Sequence, residues 1–398
     1  MGNIASQSKS EWKEIQMSDI LESANTGLDA IKRAPIVSYD SGIKCLRIQD
    51  ISQEKNFEDW GFCEVEQKNY EKFQLKKGDI IVARTGATIG VNRFISQDLK
   101  SVYNNGLIRL RTDKAECLPK FLFYNLRTNN YKGFIESISG GTSTQPNMQI
   151  NALISFDMLL PDKEEQEAVV DILSSLDDKI DLLHRQNQTL EHMAETLFRQ
   201  WFVEEADEGW EEGVLGDVIE IFDNKRVPLS KMQRNKMKDG DLYPYYGAAS
   251  IMDYVNDYLF DGEYILLGED GTVRTDEGYP VLQYATGKFW VNNHAHILRA
   301  KEPYNNFFIW NYLSKKNIDR IVTGAVQPKI NQGNLKSLDF PKFPAELVKE
   351  FNEQVEPLFN KINRNQTQIR TLTALRDTLL PKLMSGEIKV EMGKTTNG

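Results

Sequence analysis

The strongest constraint on the fold is an internal repeat that spans nearly the whole chain. The phrase GTSTQPNMQINALISFDMLLP at 141–161 returns in altered form as GAVQPKINQGNLKSLDFPKFP at 324–344, with shared Gln-Pro, Leu and Asp residues spaced by 182 positions. Trp12 and Trp210 begin the two copies at a spacing of 198, so the second copy is 16 residues shorter. A period this long excludes a solenoid and indicates a duplicated unit, a globular part followed by a helix.

Each copy ends in a long helical pattern whose apolar residues lie alternately four and three residues apart. This spacing predicts heptad seams at Leu173, Leu176, Ile180, Leu183, Asn187, Leu190 and Leu197, and at Val355, Leu358, Ile362, Asn365, Ile369, Leu372 and Leu379. Neither helix can bury its seam alone, so we predict that the two pair within the chain as an antiparallel coiled coil. Asn187 and Asn365 are expected to set its register. Pro357 is expected to kink the second helix or delay its start. An intermolecular dimer through the same seams is the alternative.

The repeat predicts an α+β protein in which two similar mixed α/β domains are joined by two long helices with an internal pseudo-two-fold repeat. The predicted parts are a first domain at 1–162, a first helix at 163–206, a second domain at 207–344, a second helix at 345–390 and a tail at 391–398. Within the domains, β-rich runs that end in glycine turns, at 78–86 and 262–271, predict strands. The segments 118–128 and 305–316 predict short helices.

The charge of the chain is unevenly distributed, and this decides what it can bind. The net charge of −10 argues against a nucleic-acid partner until it is divided along the sequence. Residues 163–209 carry 4 basic and 13 acidic side chains, whereas residues 1–162 carry 20 of each. The acidic charge therefore lies in the first helix, and its exposed face is expected to meet protein rather than DNA.

Several classes of protein are excluded by what the sequence lacks. No run of apolar residues is long enough to span a membrane, and the start, MGNIASQSKSEWKE, lacks the apolar core of a secretory signal. The 3 cysteines are scattered and form no CxxC pair, which favours reduced thiols in a cytoplasmic protein. No phosphate-binding loop and no methyltransferase tetrapeptide of the [DN]PP[FYW] type occurs. His294 and His296 have no cysteine or carboxylate at ligand spacing, so no metal site and no catalytic residue is expected.

The glycine turns of both domains carry Arg, Asn, Thr and Tyr side chains, which can hydrogen-bond to base edges or stack on bases. The candidate DNA-binding residues are Arg84, Thr85, Thr88, Asn92, Arg93, Tyr103, Asn104 and Asn105 in the first copy, and Tyr245, Tyr246, Ser250, Thr272, Arg274, Asn292, Asn293 and His294 in the second. Asn and Gly are also the ordinary residues of turns, so each of these positions has a purely structural interpretation as well.

Taken together, these motifs resemble a known family. Two domains, each beginning near a Trp, contain GDIIVARTGATIG or its variant, and the first is followed by TSTQPNMQINALISFDMLLPDKEEQ. The chain resembles the DNA-specificity subunit of type I restriction–modification systems from about residue 12 to 388, most strongly at 140–200, 243–273 and 324–386.

The resemblance implies a non-catalytic subunit whose two target-recognition domains each read one half of a split site in double-stranded DNA. The paired helices are then the spacer, and they dock two methyltransferase subunits, with restriction–translocase subunits joining through the complex. The resemblance implies that S-adenosylmethionine, ATP and Mg²⁺ bind those partners and that this chain needs no cofactor. A coiled-coil scaffold for proteins and a fused DNA methyltransferase are the alternative functions.

Overall fold

The computed structural model of the chain describes residues 12–139, 147–204, 209–324 and 326–390. Its internal contacts divide the chain into two compact units. Unit 1 consists of Met1–Ile180 together with Arg370–Gly398, and unit 2 is the continuous segment Asp181–Ile369. Each unit therefore combines one globular part with a segment of both long helices.

The globular part of unit 1 is built on three sheets in its described residues. Its strands are β1 (Lys13–Gln16), β2 (Leu21–Thr26), β3 (Ile36–Val37), β4 (Lys44–Leu46), β5 (Phe62–Cys63), β6 (Ile80–Ala83), β7 (Asn92–Phe94), β8 (Ser101–Tyr103), β9 (Leu107–Thr112) and β10 (Asp157–Leu160). The sheet orders are β2-β9-β6-β7, β3-β5-β4-β8 and β1-β10. The short helices are α1 (Ile48–Ser52), α2 (Gln67–Phe73), α3 (Pro119–Asn125), α4 (Asn129–Ser139) and α5 (Ile150–Ile154).

Unit 2 contains one mixed sheet in its described residues. The first long helix, α6 (Lys163–Arg199), begins in unit 1 and ends in unit 2, where a π-helical turn follows at Gln200–Glu204. The remaining elements are α7 (Leu215–Val218), β11 (Ile219–Ile221), α8 (Lys231–Asn235), β12 (Tyr243–Tyr246), β13 (Ile251–Val255), β14 (Phe260–Gly268), β15 (Leu282–Val291), β16 (Ala295–Ala300), α9 (Asn306–Ser314), α10 (Gln332–Lys336) and α11 (Ala345–Met384). The strand order is β11-β16-β14-β15-β12-β13, which leaves β13 at one edge.

Local sequence signals explain where several of these elements begin. Pro119 occupies the start of α3, where its missing N–H costs no hydrogen bond. Asn305 caps α9 because its side-chain oxygen accepts a hydrogen bond of 2.9 Å from the Phe308 N–H. Strand β6 is buried at all four positions, as expected for an apolar run between two neighbouring strands. The predicted strands at 78–86 and 262–271 and the predicted helices at 118–128 and 305–316 are confirmed.

In unit 2 the two long helices run antiparallel. Near the middle of α11, the Asn365 side-chain N–H donates a 2.8 Å hydrogen bond to the side-chain oxygen of Asn187 on α6. Closer to the start of α11, Phe351 packs edge-on against Phe198 and Phe202, which lie beyond Asn187 along the chain. Residues that come later on one helix therefore meet residues that come earlier on the other, as predicted.

The same pairing continues in unit 1 with a charged contact in place of the amides. Arg376 on α11 donates to the Asp177 carboxylate on α6 over 3.0 Å. Leu380, Leu383 and Met384 pack in one apolar cluster with Val169 and Leu173. All predicted seam residues on both helices are buried or half-buried. The charge of Arg376, which faces α6, is thus matched by a carboxylate.

Two expectations about the helices are corrected by the structure. The second helix begins at Ala345, well before Pro357, so the expected delay of its start is wrong. Pro357 is exposed, and so is Glu353, the residue whose carbonyl the proline ring leaves without an N–H partner. Towards the end of α6, Phe198 is buried more deeply than the predicted seam residue Leu197, because a straight helix drifts away from a strict heptad. The repeated phrase lies partly outside the described residues, at Gly141–Pro146.

Candidate functional site

In unit 1 three loops meet at the end of strand β6, and we name them loop cluster 1 (84–90, 104–106 and 147–148). The Arg84 N–H donates to the Gly106 carbonyl over 2.9 Å, and the Arg84 carbonyl accepts from the Met148 N–H over 2.8 Å. Thr85 forms an antiparallel bridge with Asn147. The Arg84 Nε donates to the Met148 carbonyl over 3.1 Å, which fixes the base of the guanidinium and leaves its tip half-exposed.

Unit 2 contains a matching arrangement, loop cluster 2 (247–250, 268–274, 292–294 and 327–330). The Glu269 N–H donates to the His294 carbonyl over 2.8 Å, and the Glu269 carbonyl accepts from the Ile330 N–H over 2.8 Å. Asp270 forms an antiparallel bridge with Lys329. The loop 247–250 joins this group because it follows Tyr246, whose carbonyl accepts from the Asn292 N–H over 3.1 Å.

The two clusters are therefore equivalent residue by residue in their backbone contacts. Arg84 corresponds to Glu269, and Thr85 corresponds to Asp270. The next residue is in each case a glycine with positive φ, 75° at Gly86 and 77° at Gly271, a conformation that favours glycine. The same scaffold presents a cationic side chain at its central position in unit 1 and an anionic one in unit 2.

Four of the predicted DNA-binding residues are buried in the structure, and for these the prediction is revised. Tyr103, Tyr245, Tyr246 and Asn292 are between 0% and 7% exposed. Burial raises the pKa of the Tyr103 hydroxyl to about 12. Their aromatic and amide character had suggested contact with bases, but these side chains fill the interior beneath the loops and offer little surface to a ligand.

Asn92 and Arg93 are also used within the protein. The Asn92 amide donates to the Leu126 carbonyl over 2.8 Å. Arg93 donates to the Lys55 carbonyl over 2.7 Å, and its guanidinium lies over the Trp60 ring at 5.2 Å from the ring centre. Burial lowers the pKa of this guanidinium. Both residues lie on β7, and Asn92 also donates to the Gly90 carbonyl of loop cluster 1 over 3.2 Å, so both side chains have structural partners within the protein.

The remaining predicted residues lie in the two loop clusters and are exposed or half-exposed. They are Arg84, Thr85, Thr88, Asn104 and Asn105 in cluster 1, and Ser250, Thr272, Arg274, Asn293 and His294 in cluster 2. Two of them have acidic partners, since Arg274 pairs with Asp319 and His294 with Asp270. Contact of these ten residues with DNA stays a prediction, now restricted to side chains that can reach a ligand.

Beneath loop cluster 2 lies a buried network that the sequence did not indicate. The two ring nitrogens of His296 lie 2.6 Å from an Asp223 carboxylate oxygen and 2.8 Å from the Ile330 carbonyl. Each ring nitrogen therefore faces an oxygen atom, one from a carboxylate and one from a backbone carbonyl. Burial acts to raise the pKa of the Asp223 carboxyl, but His296, the Ile297 N–H and a nearby Arg outweigh it and keep that pKa below its ordinary value.

Arg226 extends this network to the central residue of loop cluster 2. Its guanidinium donates to the Glu269 carboxylate and, over 2.8 Å, to the Ala295 carbonyl. Lys329 lies 3.5 Å from the other Glu269 oxygen. Asp223, Glu269 and His296 lie close enough to hold a metal ion. Their acceptor atoms are, however, already matched with protein donors and cations, so the group is complete as an ion-pair network, and the absence of a metal stays a prediction.

Comparisons with known proteins agree with this duplicated arrangement. The family described as "Type I restriction modification DNA specificity domain" matches residues 9–192 and, a second time, residues 207–373. These two matches cover most of the chain, and each contains one loop cluster. The chain belongs to this family.

Curated relatives in the family are similar to the chain over most of their length. The type I restriction enzyme MjaIX specificity subunit of Methanocaldococcus jannaschii is 27% identical over 70% of this chain and 71% of its own. The putative MjaX specificity subunit of the same organism is 24% identical over 96% and 94%. The MjaVIII specificity subunit, also from that organism, is 30% identical over 80% of each chain.

A solved structure shares the fold. The crystal structure of a type I restriction–modification system S subunit from M. genitalium matches with a TM-score of 0.58 at 19% identity, over 96% of this chain and 98% of that one. This likeness confirms the predicted α+β fold with two domains and long helices. Among the described residues, no helix has the length and apolar character needed to cross a membrane.

Proposed function

We propose that this chain is the non-catalytic specificity subunit of a type I restriction–modification system, and that it recognises a bipartite sequence in double-stranded DNA. The observation that carries the proposal is the duplication of the DNA specificity domain, with one loop cluster in each copy. Two similar readers on one chain suit a site of two halves, because binding of one half raises the effective concentration of the other reader.

The two loop clusters support different readings of the two halves. The Arg84 guanidinium offers only hydrogen-bond donors, the chemistry that recognises the O6 and N7 acceptors of guanine. At the equivalent position of unit 2, Glu269 is an acceptor engaged by Arg226 and Lys329. The exposed polar residues of cluster 2, among them Thr272 and Asn293, are then the readers in that unit.

We further propose that two methyltransferase subunits dock on this chain and that restriction–translocase subunits join the complex through them. The acidic face of the first long helix supports a protein partner there, since its exposed carboxylates would repel a phosphate backbone. S-adenosylmethionine, ATP and Mg²⁺ would act in those partner subunits. Because the substrate is genomic DNA, we place the chain in the cytoplasm.

The proposal is tested by exchanging one domain and mapping methylation. The chain is co-expressed with its methyltransferase subunit, and modified adenines are mapped over the host genome. A second strain carries a chain in which residues 12–160 come from a relative of different specificity. We expect a split motif in the first strain, and in the second strain a motif with one half altered and the other half retained.

Three results would contradict the proposal. Methylation that does not depend on this chain would remove its role in specificity. A change in both halves of the methylated motif after exchange of one domain would refute the proposal that each domain recognises one half. Methyl transfer by the purified chain alone, measured with labelled S-adenosylmethionine, would instead support a fused methyltransferase.

A further inference from the structure

We propose that the basic segment 225–238 of unit 2 binds the phosphate backbone of the DNA beside the half-site that unit 2 reads. The segment contains none of the predicted DNA-binding residues. The inference rests on the proposed function and names a second surface for the same ligand. It adds non-specific affinity and orientation to loop cluster 2, which supplies the sequence reading.

The segment, KRVPLSKMQRNKMK, is unusual in its charge. It contains six basic residues and no acidic residue, in a chain whose net charge is −10. Asp239 and Asp241 follow only after the segment has ended. A dense basic run within an acidic protein indicates a local attraction for polyanions.

Three of the six cations are free to bind an external anion. Lys225, Lys231 and Lys236 are exposed, and none of them has an ion pair with an acidic residue in the described parts of the chain. The others serve the fold, since Arg234 and Lys238 both bind Asp253, and Arg226 binds Glu269. Lys225 lies over the Phe222 ring at 5.2 Å from the ring centre, which orients its ammonium without neutralising it.

Hydrogen bonds to side chains of β12 and β15 hold the segment in a defined conformation. The Trp290 indole donates to the Val227 carbonyl over 2.6 Å, and the Leu229 N–H donates to the Tyr245 hydroxyl over 2.9 Å. Ser230 begins helix α8 by accepting a hydrogen bond from the Gln233 N–H. The cations are therefore presented from an ordered surface next to β13, and ordering them on binding costs little entropy.

The surface is continuous with loop cluster 2. Arg226, at the start of the segment, donates to the Asn293 and Ala295 carbonyls over 3.3 and 2.8 Å. Asn293 is one of the exposed predicted readers. A duplex that places a base edge against this turn must therefore continue past the segment, and phosphates are the anions that it presents at regular spacing.

The test measures how DNA affinity depends on salt. The full chain is purified in complex with its methyltransferase subunit, and binding to a fluorescein-labelled duplex of random sequence is followed by anisotropy from about 50 to 200 mM salt. The test variant carries Lys225→Gln, Lys231→Gln and Lys236→Gln. The control variant carries Lys315→Gln, Lys336→Gln and Lys342→Gln, which remove the same charge from other exposed positions of unit 2, outside the two long helices.

We expect the negative slope of log affinity against log salt to become less steep by about 2.7 in the test variant, since each lost phosphate contact removes about 0.9 from its magnitude. The control variant should keep the slope of the unaltered complex. Equal slopes in the test variant and the unaltered complex would overturn the inference, as would equal losses in both variants. Loss of the methyltransferase subunit from the test variant alone would assign the segment to a protein partner. Failure of the unaltered complex to bind the duplex would refute the proposed function as well.

Discussion

The hydrogen bond between Asn187 and Asn365 makes an unequal prediction for two substitutions that look alike. Both side chains are buried, Asn365 at 0% exposure and Asn187 at 7%. The Asn365 side-chain oxygen has no partner in the described residues, whereas its N–H donates to Asn187. Asn365→Leu therefore removes one unsatisfied acceptor while it leaves another, on Asn187. Asn187→Leu leaves the fully buried Asn365 amide with its unpaired oxygen and, for its N–H groups, only the 3.4 Å contact to the Gln186 side-chain oxygen.

The magnitudes follow from the cost of burying unpaired polar groups, about 1–3 kcal/mol each. Asn365→Leu should destabilise unit 2 by about 1 kcal/mol, because the cost of leaving the Asn187 oxygen unpaired is partly offset by removal of the unpaired Asn365 oxygen. Asn187→Leu should destabilise it by about 3 kcal/mol. With both residues replaced by Leu, no unpaired amide remains, and the stability should return to within about 1 kcal/mol of the original chain.

Hydrogen exchange in the native state measures these differences where they arise. Protection of the amides at 183–190 and 358–369 reports local opening of the helix pair. A loss of 3 kcal/mol corresponds to exchange faster by roughly 150-fold, since each 1.4 kcal/mol is a factor of ten. Equal effects of the two single substitutions, or additive effects in the double variant, would refute the assignment of the unpaired oxygen and the coupling of the two side chains.

Three further outcomes are expected from other parts of the structure. Arg93→Ala should lower the free energy of unfolding of unit 1 by about 3 kcal/mol and leave the methylated motif unchanged, whereas Arg84→Ala should relax one base of the first half-site by about 1–3 kcal/mol. Asp223→Asn should destabilise unit 2 by about 3 kcal/mol at neutral pH. This difference should shrink in acid, because the pKa of the Asp223 carboxyl is lowered in the folded chain. Such a group contributes stability above its ordinary pKa of 3.8, and the contribution is lost as the pH falls further. Charge reversal on the exposed acidic face of the first helix should weaken methyltransferase binding without altering the methylated motif. The residues to be reversed are Glu164, Glu167, Asp171 and Asp178.

Each outcome has its own control. Mapping of methylated sites distinguishes the structural role of Arg93 from the recognition role of Arg84. An altered motif in the Arg93 variant would contradict its structural role. Urea denaturation between about pH 7 and 3 tests Asp223, and a difference that stays constant with pH would remove the linkage. Glu165 is left unchanged in the acidic set because its carboxylate accepts the Trp12 indole N–H over 3.0 Å. Unaltered co-purification of the charge-reversed chain would exclude that face as the docking surface.

The fold was largely predictable, because its strongest signals are periodic. Heptad spacing located both helices and placed Asn187 and Asn365 on their seams. It misjudged the end of α6, where Phe198 rather than Leu197 packs into the aromatic core of unit 2. At Pro357, local propensity predicted a later start for the second long helix. The packing of Phe351 and its neighbours stabilises the helix before the proline and outweighs that propensity.

The site was predictable only in outline. Glycine turns marked the loops that form both clusters, but burial is a property of the folded chain, and Tyr245 could not be separated from Ser250 by composition. Asp223 and His296 are 73 residues apart, and no spacing rule links them. The basic segment 225–238 was detectable, because a count of charge over short windows, rather than over whole domains, would have identified it.

The division of the chain between the two units has a consequence for its synthesis. Unit 2 is a continuous segment, whereas the core of unit 1 includes Leu380, Leu383 and Met384. A ribosome produces the globular part of unit 1 first, yet that part must wait until α11 has emerged before its apolar surface is fully covered. The domain that is synthesised first therefore completes its folding last. Truncation near the end of α11 should expose the first domain to proteases while unit 2 still folds.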